Sequence, residues 1–323
     1  MHESAAPAGQ RLRVIFMGTP TLAVPTLEAV AGAHDIVAVV TQPDRPSGRG
    51  RRLVGSPVKK WAEQAGVPVL QLERVRDVGA IEAVAAIQPE VAVVVAFGQI
   101  LPAAVLDLPR LGCVNLHASL LPRHRGASPI QASILAGDAN SGVTTMLMDE
   151  GLDTGPILQQ RSVELAADET AGSLGAKLGA VGAGLMVETL GQLAAGTLES
   201  RPQDPAAATM TRLINKQDGE IDWRQNATRI DRQVRAMQPW PVAYTQCGGE
   251  RFKVWAVEAA GHGTGMLPGT IIASGPHLAV ACGESQAISV LEMQRAGGRR
   301  MPVAEFLRGR PIAVGSTMGV SSG

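Results

Sequence analysis

Over about the first two hundred residues the apolar positions come in short unbroken runs separated by stretches of helical spacing. The runs are "RVIFMG" (13–18), "DIVAVVTQ" (35–42), "VPVLQL" (67–72) and "VAVVVAFG" (91–98). Between them lie "TLAVPTLEAVAGA", "PVKKWAEQAG" and "DVGAIEAVAAIQ". Continuous apolar strands alternating with amphipathic helices predict a mostly parallel sheet covered on both faces. "CVNLHAS" is the next predicted strand, "GVTTMLM" and "GPILQQRSVEL" a late hairpin-like pair, and a long helix is predicted over about 170–196. Ligands of such sheets bind beyond the carboxyl ends of the strands. That rule puts Gly18-Thr19-Pro20, Thr41-Gln42-Pro43, Phe97-Gly98 and His117 along one rim.

The pattern then changes. Residues 197–220 are polar, carry two prolines and lack periodicity, which reads as a linker. Beyond it, Ile230, Val234 and Met237 share one helical face. Short strands follow, "PVAYTQC", "RFKVWAVEA", "GTIIAS", "HLAVAC" and "AISVLEM", several of them separated by glycine-containing turns. They predict a small barrel or sandwich. The expected organisation is an arm over 1–10, a sheet domain over 11–198, a linker over 199–217 and a smaller domain over 218–323. A chain of 323 residues agrees with two domains.

Charge changes the picture little, because 29 basic residues balance 29 acidic ones. A nucleic-acid partner must then be held by a local patch. The three cysteines show no CxxC and no zinc-type spacing, so they read as small buried hydrophobes in a reducing cytoplasm. No metal-ligand cluster is visible. The start, "MHESAAPAGQ", lacks the apolar core of a secretion signal, and "VAVVVAF" (91–97) is too short to cross a bilayer. The expectation is a cytoplasmic protein without a membrane partner. Neither GxGxxG nor GxxxxGK[ST] occurs, which argues against a nicotinamide or nucleotide enzyme.

The candidate chemistry sits in three segments. In "CVNLHASLLPRHRGASP" (113–129), Asn115 and His117 are two apart on a strand, so an amide and an imidazole leave the same face. In "MDEGLDTGPI" (148–157), Asp149, Glu150 and Asp153 lie on a loop, where a carboxylate can orient a histidine. The same Asp-Thr-Gly occurs in aspartic proteases, but those need two copies and one is present. In "PDRPSGRGRRLVGSPVKK" (43–60), Arg45, Arg49, Arg51, Arg52, Lys59 and Lys60 face Asp44 alone. That loop reads as a phosphate-binding segment that orders on RNA.

Together with "GTP", "AFGQILP", "IDW", "QPWP" and "KVW", these segments occur in the order found in the methionyl-tRNA formyltransferases, and the chain resembles that family over almost its whole length. The resemblance implies a Rossmann-like α/β domain with a mostly parallel sheet, followed by an OB-fold-like β-barrel domain that binds tRNA. It implies 10-formyltetrahydrofolate as donor, initiator methionyl-tRNA as acceptor, no metal, no DNA partner and a monomer. Position by position, Asn115, His117 and Asp153 match the catalytic trio. Ser119, Leu120, Leu121 and Pro122 match the folate-contacting stretch, with Phe97 and Gly98 from "AFGQILP" joining it. Arg49 matches a residue at the aminoacyl end of the tRNA, and its basic neighbours Arg45, Arg51, Arg52, Lys59 and Lys60 are assigned with it. Two positions depart from the family pattern: His124 replaces an aromatic residue, and Thr21-Leu22 replaces Asp-Phe. Other readings are a folate-dependent formyltransferase acting on a small amine, a dehydrogenase, and a non-catalytic RNA-binding module.

Overall fold

The computed structural model describes residues 11–47, 52–262 and 265–319. They divide into two compact units: the chain up to Pro129 with Asn140–Glu164 and Gly175–Thr211, and Ile130–Ala139 with Leu165–Leu174 and the chain from Arg212 on. The arm expected over 1–10 lies outside the described residues.

The first unit contains, in chain order, β1 (Arg13–Gly18), α1 (Val24–Ala33), β2 (Asp35–Thr41), β3 (Arg45–Ser47), β4 (Arg52–Val54), α2 (Pro57–Gln64) and β5 (Val69–Gln71). Next come α3 (Val78–Ala86), β6 (Val91–Val95), α4 (Ala103–Leu106), β7 (Cys113–His117) and β8 (Arg125–Gly126). Helix α5 (Pro129–Ala136) falls, after its first residue, in the second unit. Strands β9 (Asn140–Leu147) and β10 (Ile157–Glu164), helix α6 (Ala171–Ala195), which enters the first unit at Gly175, and strand β11 (Met210–Thr211) complete the series. Among the described residues seven strands form one sheet in the order β10-β9-β7-β6-β1-β2-β5. The five from β7 to β5 run parallel, and β9 and β10 add antiparallel, as the hairpin-like pattern predicts. Several predicted strands come out shorter than read, β6 and β5 among them. β6 stops at Val95, because Ala96 takes a left-handed φ of 48°. β5 begins only after Pro68, which cannot donate to the ladder.

Alternation along the strands sorts the core. Ile15, Met17, Ala92, Val94 and Cys113 pack with Val84 of α3 and Val105 of α4. On β7 the same face continues past Cys113 to Asn115 and His117. The apolar contact therefore ends where the polar side chains begin, at the carboxyl end of the strand. Leu116, on the opposite face, meets α6 at Gly182, where an added Cβ would stand 2.6 Å from its Cδ2. By length and apolarity α6 could cross a membrane, which the sequence reading overlooked. Its Leu178, Leu185, Met186 and Leu190 are buried, and Thr189 Oγ1 lies 2.9 Å from Thr145 Oγ1 of β9. It is a core helix of the sheet.

In the second unit, α7 (Ala227–Ala236) places Ile230 and Val234 in a core with Phe252, Val254, Ile288 and Val290. Strands β12 (Tyr244–Cys247), β13 (Glu250–His262), β14 (Ile271–Ser274), β15 (Leu278–Cys282), β16 (Gln286–Arg295) and β17 (Arg300–Pro302) precede α8 (Val303–Gly309). They form an antiparallel sheet, β12-β13-β16-β15-β14, with β17 paired to β16. Both outer strands are covered by residues 315–319. Ile271 N donates to Ser316 O and Met318 N to Gly269 O, each at 2.8 Å, and Gly319 N donates to Gln246 O at 2.9 Å. The sheet thus curls towards closure, as expected of a small barrel that hides its edges. Three arginines of α7 bind the chain segments that group with this unit: Arg229 and Arg232 donate to Leu135 O and Ala136 O at the end of α5, and Arg235 to Glu169 O.

Phe16 lies on β1, an interior strand of the sheet, and is wholly buried. Phe16→Ala is expected to destabilise the fold by about 3–5 kcal/mol, measured by urea denaturation.

Candidate active site

His117 ends β7 and is buried. Its Nε2 lies 2.9 Å from His124 O. A carbonyl only accepts, so Nε2 carries a hydrogen. The neutral ring then keeps its lone pair on Nδ1, which lies 3.6 Å from Asp153 Oδ2. This separation exceeds a direct hydrogen bond. A proton taken up at Nδ1 would point towards the carboxylate.

Asp153 itself is held from two sides. Gly126 N donates to its Oδ2 at 2.7 Å, and the Gln203 amide donates to its carbonyl at 2.9 Å. Its φ is 55°, a left-handed conformation that a residue with a Cβ adopts at a cost of about 1–2 kcal/mol. Ahead of it, Asp149 Oδ1 accepts from Gly151 N and Thr154 Oγ1 at 3.0 and 2.7 Å, which closes the turn. Behind it, Gly155 passes so close to β9 that an added Cβ would fall 1.8 Å from Leu147 O.

Asn115 shares the His117 face of β7. Its Oδ1 is buried and has no hydrogen-bond partner among the described residues. An orphaned acceptor of this kind costs about 1–3 kcal/mol and invites a ligand donor. The neighbouring rim is cross-linked: Thr19 Oγ1 donates to Phe97 O at 3.2 Å, and Gln42 Nε2 donates to the same carbonyl at 3.3 Å. These bonds tie the ends of β1, β2 and β6 together. Cys113, two residues before Asn115, is no nucleophile, because burial pushes its thiol up to about 12.

A family described as formyl transferase matches residues 11–190, more than half of the chain. The chain belongs to the formyl transferase family. The family's C-terminal domain matches residues 213–311. The methionyl-tRNA formyltransferase of Agathobacter rectalis is 46% identical over 307 residues, covering 94% of this chain and 99% of that protein. The methionyl-tRNA formyltransferase of Pseudomonas paraeruginosa is 47% identical over 312 residues, covering 95% and 100%. Among solved structures, HypX from Aquifex aeolicus in complex with tetrahydrofolic acid superposes with a TM-score of 0.62 at 15% identity, over 92% of this chain and 47% of that one. WlaRD, a sugar 3N-formyl transferase, gives 0.62 at 17% identity over 87% and 98%. These two likenesses concern the fold.

The remaining expected site residues of this formyl transferase divide by environment. Ser119 is buried and donates from Oγ to Arg123 O at 2.6 Å, while its own carbonyl accepts from Thr144 Oγ1. Leu121 packs with Met146 and Ile157, and its peptide groups bond Thr144 and Gln160. Leu120 and Pro122 are half-buried, the latter after a cis peptide bond. Phe97 lies in the core, so what it presents to the rim is its carbonyl; Gly98 follows with a φ of 82°.

Of the basic residues, Arg49 and Arg51 lie outside the described residues, and of Arg52 only the backbone, in β4, is described. Arg45 is exposed on β3. Lys60 is exposed, but Lys59 is held internally, 2.8 Å from Asp44 Oδ2 and 2.9 Å from Gln71 Oε1. Its hydrogen bond, aided by Gln71, holds the Asp44 carboxyl below the usual carboxylate range. This pair anchors the base of the loop.

Sequence reasoning missed the contribution of residues 201–211. β11 pairs parallel with β8, and Thr209 Oγ1 accepts from His124 N at 2.8 Å. Gln203 bonds the Asp153 loop and Arg125 at once. These partners are long-range, so no local periodicity announces them.

Gly155→Ala is expected to destabilise the fold by about 1–3 kcal/mol, since the clash is with backbone. Thermal unfolding of the variant checks this.

Proposed function

We infer that this chain transfers the formyl group of 10-formyltetrahydrofolate to the amino group of initiator methionyl-tRNA. What carries the reading is the His117–Asp153 pair at the sheet rim, in a chain nearly half identical, almost end to end, to proteins named for that reaction.

The reaction forms a carbon–nitrogen bond to the acceptor amine, breaks one to the donor nitrogen, and moves a proton from the first nitrogen to the second. The donor supplies the formyl group. The orphaned Oδ1 of Asn115 fits a ligand N–H, and the amide's Nδ2 is then free to donate to an oxygen gaining negative charge. One such donor is worth about 10²–10³ in rate. His117 Nδ1 is the nitrogen left to take the amine proton, because Nε2 is bonded to His124 O. Asp153 faces the cation so formed and fixes the ring. Ser119, Leu120, Leu121, Pro122, Phe97 and Gly98 form the donor side of the rim.

The acceptor is held by phosphate contacts. Arg45, Arg49, Arg51, Arg52 and Lys60 serve it, and Lys59 shapes the loop through Asp44. On the second unit, Arg300 lies over the half-buried Trp255 ring at 4.9 Å. A ring flanked by a cation suits an RNA chain. The protein is read as a cytoplasmic monomer without a DNA or membrane partner.

The test is formylation of charged initiator tRNA against free methionine and small amines, with and without 10-formyltetrahydrofolate. Turnover of the tRNA substrate is expected; turnover of small amines alone would overturn the reading. His117→Ala should lower kcat by about 10²–10⁴-fold while the KM for donor changes little. Raising KCl should increase the KM for tRNA steeply, because each phosphate contact releases counterions.

A further inference from the structure

Three separate stretches of chain meet around His117: residues 117–126, the loop carrying Asp153, and residues 201–211. One side chain bonds to two of them from the third. Gln203 is buried, and its Nε2 donates to Asp153 O at 2.9 Å and Gly155 O at 2.7 Å. Its Oε1 accepts from Arg125 Nε at 3.0 Å and Nη2 at 2.8 Å. The adjoining peptide, Gly126 N, donates to the Asp153 carboxylate, and the preceding carbonyl, His124 O, accepts from His117 Nε2. The backbone carrying Gln203 is itself fixed, by mutual hydrogen bonds between Arg201 and Ile157 at 2.8 and 2.9 Å and by pairing of β11 with β8.

We propose that Gln203 is a positioning residue for formyl transfer, which sets the direction of the Asp153 carboxylate towards His117 by clamping the Asp153 loop to the Arg125 segment. Two observations make the clamp specific. Asp153 has a left-handed φ, a conformation that persists only when its surroundings impose it. The bond from Gln203 falls on that residue's own carbonyl, so it fixes the peptide rather than the side chain. The clamp also needs a group that donates to two carbonyls while accepting from a guanidinium. An amide does this; a carboxylate accepts but cannot donate, and a thioether does neither well. Gln203 touches no reacting atom in this scheme, and acts through Asp153.

The proposal rests on the formyl-transfer reading for its kinetic readout, so wild-type protein is assayed first. A wild type inactive on charged tRNA overturns that reading. The positioning role is then judged by the ¹⁵N resonances of the His117 ring, which report the hydrogen bonds of each nitrogen. Gln203→Met removes the clamp at similar length. It is expected to lower kcat about 10- to 100-fold, as small misplacements of a reacting group do, with both KM values within about twofold. Its His117 ring resonances should move. In an Asp153→Asn background the same change should cost almost nothing further, since both lesions act on one carboxylate. Gln203→Glu, which retains the partner for Arg125 and therefore the packing, should match Gln203→Met in kcat. A kcat within threefold of wild type in Gln203→Met, an equal loss in the Asp153→Asn background, or unmoved His117 resonances would overturn the proposal.

Discussion

A single hydrogen bond decides how the rim of this sheet can work. His124 O takes the hydrogen of His117 Nε2. The ring is thereby left with one basic nitrogen, Nδ1, and that nitrogen faces Asp153. The direction of any proton uptake is set before a substrate arrives. His124 has a left-handed φ of 59°, and its amide is tied to Thr209, so the carbonyl's aim depends on residues eighty-five positions away. Preorganised groups of this kind need no reorganisation during reaction.

The scaffold explains why such a group can sit there. Along β7 the side chains on one face run from Cys113 in the core to Asn115 and His117 at the end of the strand. The parallel neighbours β6, β1 and β2 finish at the same edge, where Thr19, Gln42 and Phe97 hydrogen-bond across the gaps. A doubly covered parallel sheet leaves its strand ends as the place where unpaired peptide groups can meet a ligand.

Much of this was legible in the residues. Unbroken runs such as "VAVVV" predict buried parallel strands, and the spacing of Asn115 and His117 predicts their common face. The pairing of β9 with β10 and the short strands of the second unit were visible too. What escaped was everything decided by contacts distant in sequence. The polar stretch around Gln203, Thr209 and Thr211 has no period, and reads as a linker until its partners 122–128 and 153–157 are placed beside it. Lys59 reads as one cation among several in a basic loop, but Asp44 and Gln71 claim it. Helix α6 is apolar enough to pass for a bilayer span, and only its contacts with Leu116 and Thr145 show which surface it covers.

The seam of the curled sheet adds a constraint of timing. Strands β12 and β14 gain their outer partners from residues 315–319, which a ribosome adds some seventy residues after β12. While those residues are still inside the exit tunnel, a nascent chain leaves unpaired the outer edge of β14 and the part of β12 beyond Tyr244, whose carbonyl already accepts from Ile221 N. N-terminal segments fold first during synthesis, and unpaired edges are what aggregation uses. The sheet of the first unit has its last strand by Glu164 and can assemble early, whereas the second unit is vulnerable until its final stitch is made.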